Sequence, residues 1–148
     1  MHSSILRTTI LAAALVFAGA ACAGDPGQGG QGGMSENEVR DALTNAGYTD
    51  IDDLDRDDGL WEADARNADG RRIDVRVDPR TGTVYPDTAQ TSLTEDEVRA
   101  SLSAAGYERI RDVRFDDGMW EADAHHEGVE YDLYMDPATA EVVSRKRD

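Results

Sequence analysis

The sequence predicts an α+β fold of two tandem repeats, each one N-terminal helix packed on a three- to four-stranded antiparallel sheet. Three observations carry this. Sliding the 148-residue chain against itself by 59 positions aligns Glu36–Ala65 with Glu95–Ala124, and 18 of the 30 aligned residues are identical. Each copy opens with a capped amphipathic stretch. Each continues as runs of alternating apolar and polar residues between Asp-Gly and Asp-Pro turn signals. Two copies are too few for a solenoid, so the pattern is a tandem duplication.

The helices come first. Ser35-x-x-Glu38 and Thr94-x-x-Glu97 are capping boxes, in which the hydroxyl serves an orphan amide and the Glu reaches back to the cap. Met34 and Leu93 precede them, placed to staple against Val39 and Val98. Val39, Ala42, Leu43 and Ala46 share one face, as do Val98, Leu102 and Ala105. Gly47 and Gly106 supply left-handed caps.

A first strand includes Ile51 to Arg56, and its counterpart Ile110 to Phe115. Asp57-Asp58-Gly59 and Asp116-Asp117-Gly118 then signal tight hairpins. In the returning strand Trp61, Ala63 and Ala65 alternate with Glu62 and Asp64. Ile73, Val75 and Val77 alternate with Asp74 and Arg76 in the next. Ala68-Asp69-Gly70 suits a three-residue loop between them, and Glu127-Gly128 a two-residue turn, which accounts for the one gap between the copies. Asp78-Pro79-Arg80-Thr81-Gly82 turns into a last short strand around Val84. Trp61 and Trp120 fall on the apolar face, Trp120 beside Phe115 and Trp61 beside Arg56.

The residues before the first copy read as an address. Arg7 is followed by a short apolar, small-residue run, too short for a span of ~20 residues and shaped like an export signal. Ala21-Cys22-Ala23 suits ordinary signal peptidase. Gly19-Ala20-Ala21-Cys22 resembles a lipobox, which would make Cys22 the lipid-attached N-terminus. The lipoprotein reading is favoured, because the one cysteine stands where lipidation needs it and a flexible Gly-rich tether follows. The expected organisation is a signal peptide over 1–22, a linker over 23–33, a first repeat over 34–86, a junction over 87–92 and a second repeat over 93–148.

Charge and composition exclude several functions. The 31 acidic residues outnumber 15 basic ones, a net charge of −16, which disfavours nucleic acid and anionic membrane surfaces as partners. Removing the signal takes away one basic residue and no acid, so the exported part reaches −17. One cysteine leaves no internal disulfide and no Cys-clustered metal site. Fourteen of the basic residues are Arg, and Lys146 is the only Lys.

The helix opening T-E-D-E-V-R, the hairpin arm G-x-W-E-A-D and the strand ending V-x-V-D-P-x-T-G-x-V resemble the PepSY domain, found in peptidase propeptides and YpeB-type exported bacterial proteins. The resemblance covers nearly all of residues 34–148, twice, with Ala140 standing where the pattern and Gly82 have glycine. It implies a non-catalytic module that inhibits or regulates a peptidase or binds another protein partner in the cell envelope. The two-repeat architecture is also similar to the beta-lactamase inhibitor protein family, which implies a general protein-interaction module as an alternative. No catalytic residues and no cofactor come with either resemblance.

One pattern asks for a ligand. If Ala63 faces Val75, then Asp64 lies across from Asp74 on the opposite face; with Ala122 opposite Leu133, Asp123 lies across from Asp132. Like charges directly opposed repel. Their recurrence makes Glu62, Asp64 and Asp74, with Glu121, Asp123 and Asp132, the candidate face for a basic partner or a cation, on a sheet expected to be flat and without a cleft. The competing reading is a solvated exterior diluted by Arg76 and Tyr134, and it accounts for the pattern more simply. An acidic cation-binding envelope protein is therefore a further alternative. An EF-hand is excluded. Asp53, Asp55 and Asp57 have ligand spacing, but Asp58 stands where Gly is needed and Arg114 replaces Asp55 in the second copy. His125 and His126 are consecutive, so on a strand they leave on opposite faces, though either could join Glu130 at the surface.

Overall fold

The computed structural model describes residues 33–148. The signal segment, Cys22 and all of the linker but Gly33 lie outside the described residues. Copy one runs as α1 (Glu36–Asn45), β1 (Thr49–Asp57), β2 (Leu60–Arg66), β3 (Arg72–Val77) and β4 (Val84–Pro86). Copy two repeats the order as α2 (Glu95–Ala104), β5 (Glu108–Asp116), β6 (Met119–His126), β7 (Val129–Met135) and β8 (Val142–Arg147). The strands form two separate four-stranded antiparallel meanders, β1-β2-β3-β4 and β5-β6-β7-β8. Among the described residues no helix is long and apolar enough to cross a membrane.

The helix ends follow the local chemistry. Glu38 Oε2 accepts from the Ser35 amide at 2.7 Å and Glu97 Oε2 from the Thr94 amide at 2.8 Å. At the other end Tyr48 N donates to Leu43 O and Gly47 N to Thr44 O, the paired bonds of a Schellman cap, and Tyr107 and Gly106 repeat them on Leu102 and Ser103. The expected helix face is shorter than predicted. Ala46 and Ala105 are cap residues and exposed, because the helices have already ended, and the buried face is Val39 and Leu43, or Val98 and Leu102.

Each core lies between helix and sheet. Val39 and Leu43 pack on Leu54, Ala63, Ile73, Val75 and Val77, with Trp61 at the margin. Val98 and Leu102 pack on Val113, Trp120, Leu133 and Met135. Phe115 meets Trp120 edge-on at 5.5 Å, and Arg56 stands opposite Trp61 in copy one, as expected. The hairpins also form as read. Asp58-Gly59, Asp117-Gly118 and Glu127-Gly128 are two-residue turns with positive φ at both residues.

The first strand of each copy differs from a plain alternation. Pairing of β1 with β2 slips by one residue twice, and Asp50 and Asp53 have positive φ; Arg109 and Asp112 do the same in β5. Two bulges in succession turn every third residue inward, which is why Ile51 and Leu54 both reach the core.

The copies meet through a third, smaller apolar cluster. Leu60 and Tyr85 of copy one pack with Met119 and Val143 of copy two. The hairpin tip of each copy leans on the other. A β-carbon on Gly118 would lie 2.0 Å from Pro86 O, and one on Gly59 2.4 Å from Ser144 Oγ. Asp58 anchors the first tip: it accepts from Tyr134 Oη at 2.8 Å, pairs with Lys146 Nζ at 2.5 Å, and its carbonyl accepts from Ser144 Oγ at 2.6 Å.

Candidate functional site

The opposed aspartates are where the pattern put them. Asp64 pairs with Asp74, and Asp123 with Asp132. In copy one the row extends at both ends. Asp52 pairs with Asp64 from β1, and the Asp87 amide donates to Asp74 O from beyond β4. Asp52, Asp64, Asp74 and Asp87 thus form a line of four carboxylates across the sheet. The equivalent row in copy two reads Arg111, Asp123, Asp132 and Lys146, with a cation at each end. The two faces are not electrostatic equals.

One exchange accounts for part of the difference. Arg72 Nη2 of copy one reaches Asp52 at 3.1 Å and Asp64 at 3.3 Å. In copy two the same two places carry Arg111 and Glu130, which form an ion pair with the signs reversed. The second part lies one row further on. Glu121 is paired both by Arg114 of its own copy and by Arg76 of the other, whereas Glu62 has Arg76 alone.

The expectation of a flat face is corrected. The hairpin tip of copy two leans over sheet one and walls a hollow of about 240 Å³, which Asp53, Asp64, Asp74, Asp87, Arg76 and Asp117 help to line. A smaller-charged counterpart of about 240 Å³ over sheet two is bordered by Arg114, Glu121, Asp123, Asp132 and Tyr134. The face of sheet one becomes concave because Asp117 of the other copy supplies a wall.

Within the first hollow, Asp64 and Asp74 titrate apart. A hydrogen bond from Asp74 holds the Asp64 carboxyl below the usual range, helped by Arg72. The same bond pushes Asp74 up, reinforced by burial and by the neighbouring charges of Asp64, Asp87 and Asp117. In copy two burial raises Asp123, with Asp132 and Asp112 adding to it. Tyr85, at the end of the hollow, is pushed to about 12 by burial and by Asp136. The excess of carboxylates over cations in the hollow gives it an attraction for positive charge.

Sequence reasoning found Glu62, Asp64 and Asp74, which line the first hollow, and Glu121, Asp123 and Asp132, which line the second. It missed Asp52, Asp53, Asp87 and Asp117. Asp52 and Asp53 were hidden by the bulges, though the three-residue spacing of Ile51 and Leu54 carried the signal. Asp87 lies in the junction, and Asp117 arrives only through tertiary packing. Among the described residues no set of three His, Cys, Asp or Glu side chains is gathered closely enough to hold a metal ion. The two histidines diverge. His125 Nε2 lies 4.0 Å from Glu130, while the His126 ring packs against Tyr107 at 5.1 Å.

The sequence model of one family, the peptidase propeptide and YPEB domain, matches residues 7–88 and again residues 86–146. No curated protein matches the chain, and no solved structure does.

Proposed function

Because the chain belongs to the PepSY family of peptidase propeptide and YPEB domains, which it carries twice, we propose that it is a non-catalytic binding module of the cell envelope that engages a basic segment of a partner protein. The family points to a peptidase as that partner, restrained by the module in the manner of a propeptide. Export and tethering through a lipid on Cys22 complete the reading.

The observation that supports it is the carboxylate row of copy one. Asp52, Asp64, Asp74 and Asp87 leave that face short of cations, while the same row in copy two has them built in. A partner's Lys or Arg entering the hollow would offset the repulsion between Asp64 and Asp74. Glu62, Asp64 and Asp74 are then the recognition residues, and Glu121, Asp123 and Asp132 a secondary face. Long-range attraction from an exported part of charge −17 would speed encounter with a basic partner.

The test is crosslinked capture from envelope extract, with the wild type beside Asp64→Asn/Asp74→Asn. A protein enriched by the wild type and lost with the variant supports the reading. Recovery of nothing above background sinks it.

The opposed aspartates favour one second reading, an acidic cation-binding protein. Melting curves with and without millimolar calcium separate the two, because a ligand specific to the native state raises the midpoint. An unchanged midpoint removes the calcium reading and leaves the protein partner.

A further inference from the structure

We infer that the chain carries a second, oppositely charged site: a pocket for a small oxyanion, a carboxylate or a phosphate, built from Arg56, Arg80 and Arg145. These three line one cavity of about 400 Å³ at the seam between the copies, together with Tyr107 and Val142. In a chain of net charge −16 such a gathering of cations runs against the overall field.

Two of the three guanidinium groups are not spent on ion pairs. Arg40, Arg66, Arg72, Arg76, Arg99, Arg111 and Arg114 each have a carboxylate partner. Arg56 and Arg145 have none among the described residues, a property they share with the exposed Arg71, Arg109 and Arg147, but these two alone line one cavity. Arg145 lies over the Tyr131 ring at 5.2 Å, and Arg56 stands beside Trp61 on the core side of its strand. Arg80 is held in place instead. Its Nε lies 3.3 Å from Asp78 Oδ1, and its Nη2 donates to Val143 O at 2.5 Å across the seam. Asp78 is itself buried and also accepts from the Arg80 amide and Thr81 Oγ1. Its charge is thereby committed to that turn, leaving the fork donors of Arg56 and Arg145 without an anion among the described residues.

The duplication adds an independent argument. Arg56 stands where copy two has Phe115, and Arg80 where it has Ala138. Arg145 pairs opposite Leu133, as Pro86 pairs opposite the equivalent Val75, so Arg145 stands where copy one has Pro86. All three arginines are therefore peculiar to one copy, and the three departures converge on one cavity. Core packing does not require them, since phenylalanine, alanine and proline serve in the other copy. Two guanidinium groups on one cavity repel unless an anion lies between them, and their planar forks match a two-oxygen edge. Tyr107 and Val142 supply an apolar wall, which suits an oxyanion carried on a small apolar body.

The experiment titrates the full chain with inorganic phosphate and, separately, with benzoate, at constant ionic strength made up with sodium chloride. Saturable one-site binding of either probe is expected, phosphate alone identifying a phosphoryl group and benzoate alone a carboxylate. Arg56→Gln and Arg145→Gln should each weaken binding at least about tenfold, the effect of one charge-assisted hydrogen bond. Arg56→Phe, which installs the residue of the other copy, should fold and bind as poorly. Arg71→Gln, an exposed arginine outside the cavity, should bind normally. Absence of saturable binding of both probes up to about 20 mM, or equal losses in Arg71→Gln and Arg145→Gln, overturns the proposal.

Discussion

Arg76 and Tyr134 hold the same position in the two repeats and meet each other across the seam, the guanidinium carbon 5.4 Å from the ring centroid. The arginine also holds Glu62 at 2.8 Å, Glu121 at 3.5 Å and Asp117 at 3.6 Å, with only 16% of its side chain exposed. The tyrosine donates to Asp58 of the opposite tip. One pair of diverged residues thus joins the copies and closes one wall of the acidic hollow.

Arg76→Leu should therefore cost about 1–2 kcal/mol, because it leaves Glu62 and the exposed Asp117 without this partner and Glu121 with Arg114 alone. Tyr134→Phe should cost about 1 kcal/mol, the net worth of the hydroxyl's bond to Asp58. A double-mutant cycle of Arg76→Leu with Tyr134→Leu, read by urea denaturation, should give a coupling of about 0.5–2 kcal/mol. Additive losses would show that the contact carries no energy.

The two tip glycines should differ. Both have positive φ, so an added β-carbon costs about 1 kcal/mol at either. At Gly59 the obstructing atom is a rotatable serine hydroxyl, whereas at Gly118 it is the Pro86 carbonyl, which cannot turn aside. Gly118→Ala should lower the thermal midpoint clearly more than Gly59→Ala. Equal shifts would mean that the seam gives way easily at both tips.

The pH dependence of the acidic hollow has a definite sign. Asp74 titrates above its unfolded value. The folded state then binds more protons than the unfolded chain between those two values, and this group's contribution falls as pH rises through the carboxylate range. Asp74→Asn should stabilise the protein by a few tenths of a kcal/mol at neutral pH, the scale of an exposed opposed pair. The gain should vanish at acid pH, where the wild-type carboxyl is protonated. Asp58 behaves in the opposite sense. The hydrogen bond from Lys146 lowers it, so its contribution is present at neutral pH and lost as pH falls through its depressed value. Lys146→Gln should destabilise at neutral pH and less at acid pH, measured by melting curves across that range.

Glu127 takes a left-handed conformation in the two-residue turn between β6 and β7. Glu127→Asn gives the Asn-Gly turn that suits that geometry and should stabilise by about 0.5–1 kcal/mol. A lower midpoint would show that Glu127 serves something other than the turn.

Local features of this fold were plain in the sequence. Ser35 and Thr94 announced the helices, Gly47 and Gly106 ended them, and Asp-Gly pairs set the hairpins. The hairpin register then placed Asp64 opposite Asp74 without any coordinates, because the side-chain period of a strand is two. The double bulge was less visible. Asp50, Asp53, Arg109 and Asp112 adopt positive φ without being glycine, so no residue type flagged them. The hollow itself could not be read locally. Asp117 comes to it through packing of one copy on the other, and the same is true of the cavity shared by Arg56, Arg80 and Arg145. What the copies do together is encoded in their differences, Arg76 against Tyr134 and Asp52 against Arg111, rather than in the repeat they share.

The most direct test of the binding reading is the affinity of the captured envelope partner for two double variants. Asp64→Asn/Asp74→Asn, in the row that has an aspartate rather than a cation at each end, should weaken binding about three- to tenfold and flatten its dependence on salt. Asp123→Asn/Asp132→Asn, in the row closed by Arg111 and Lys146, should leave both nearly unchanged. Equal losses in the two variants, or none in either, would contradict recognition through the acidic face of the first repeat.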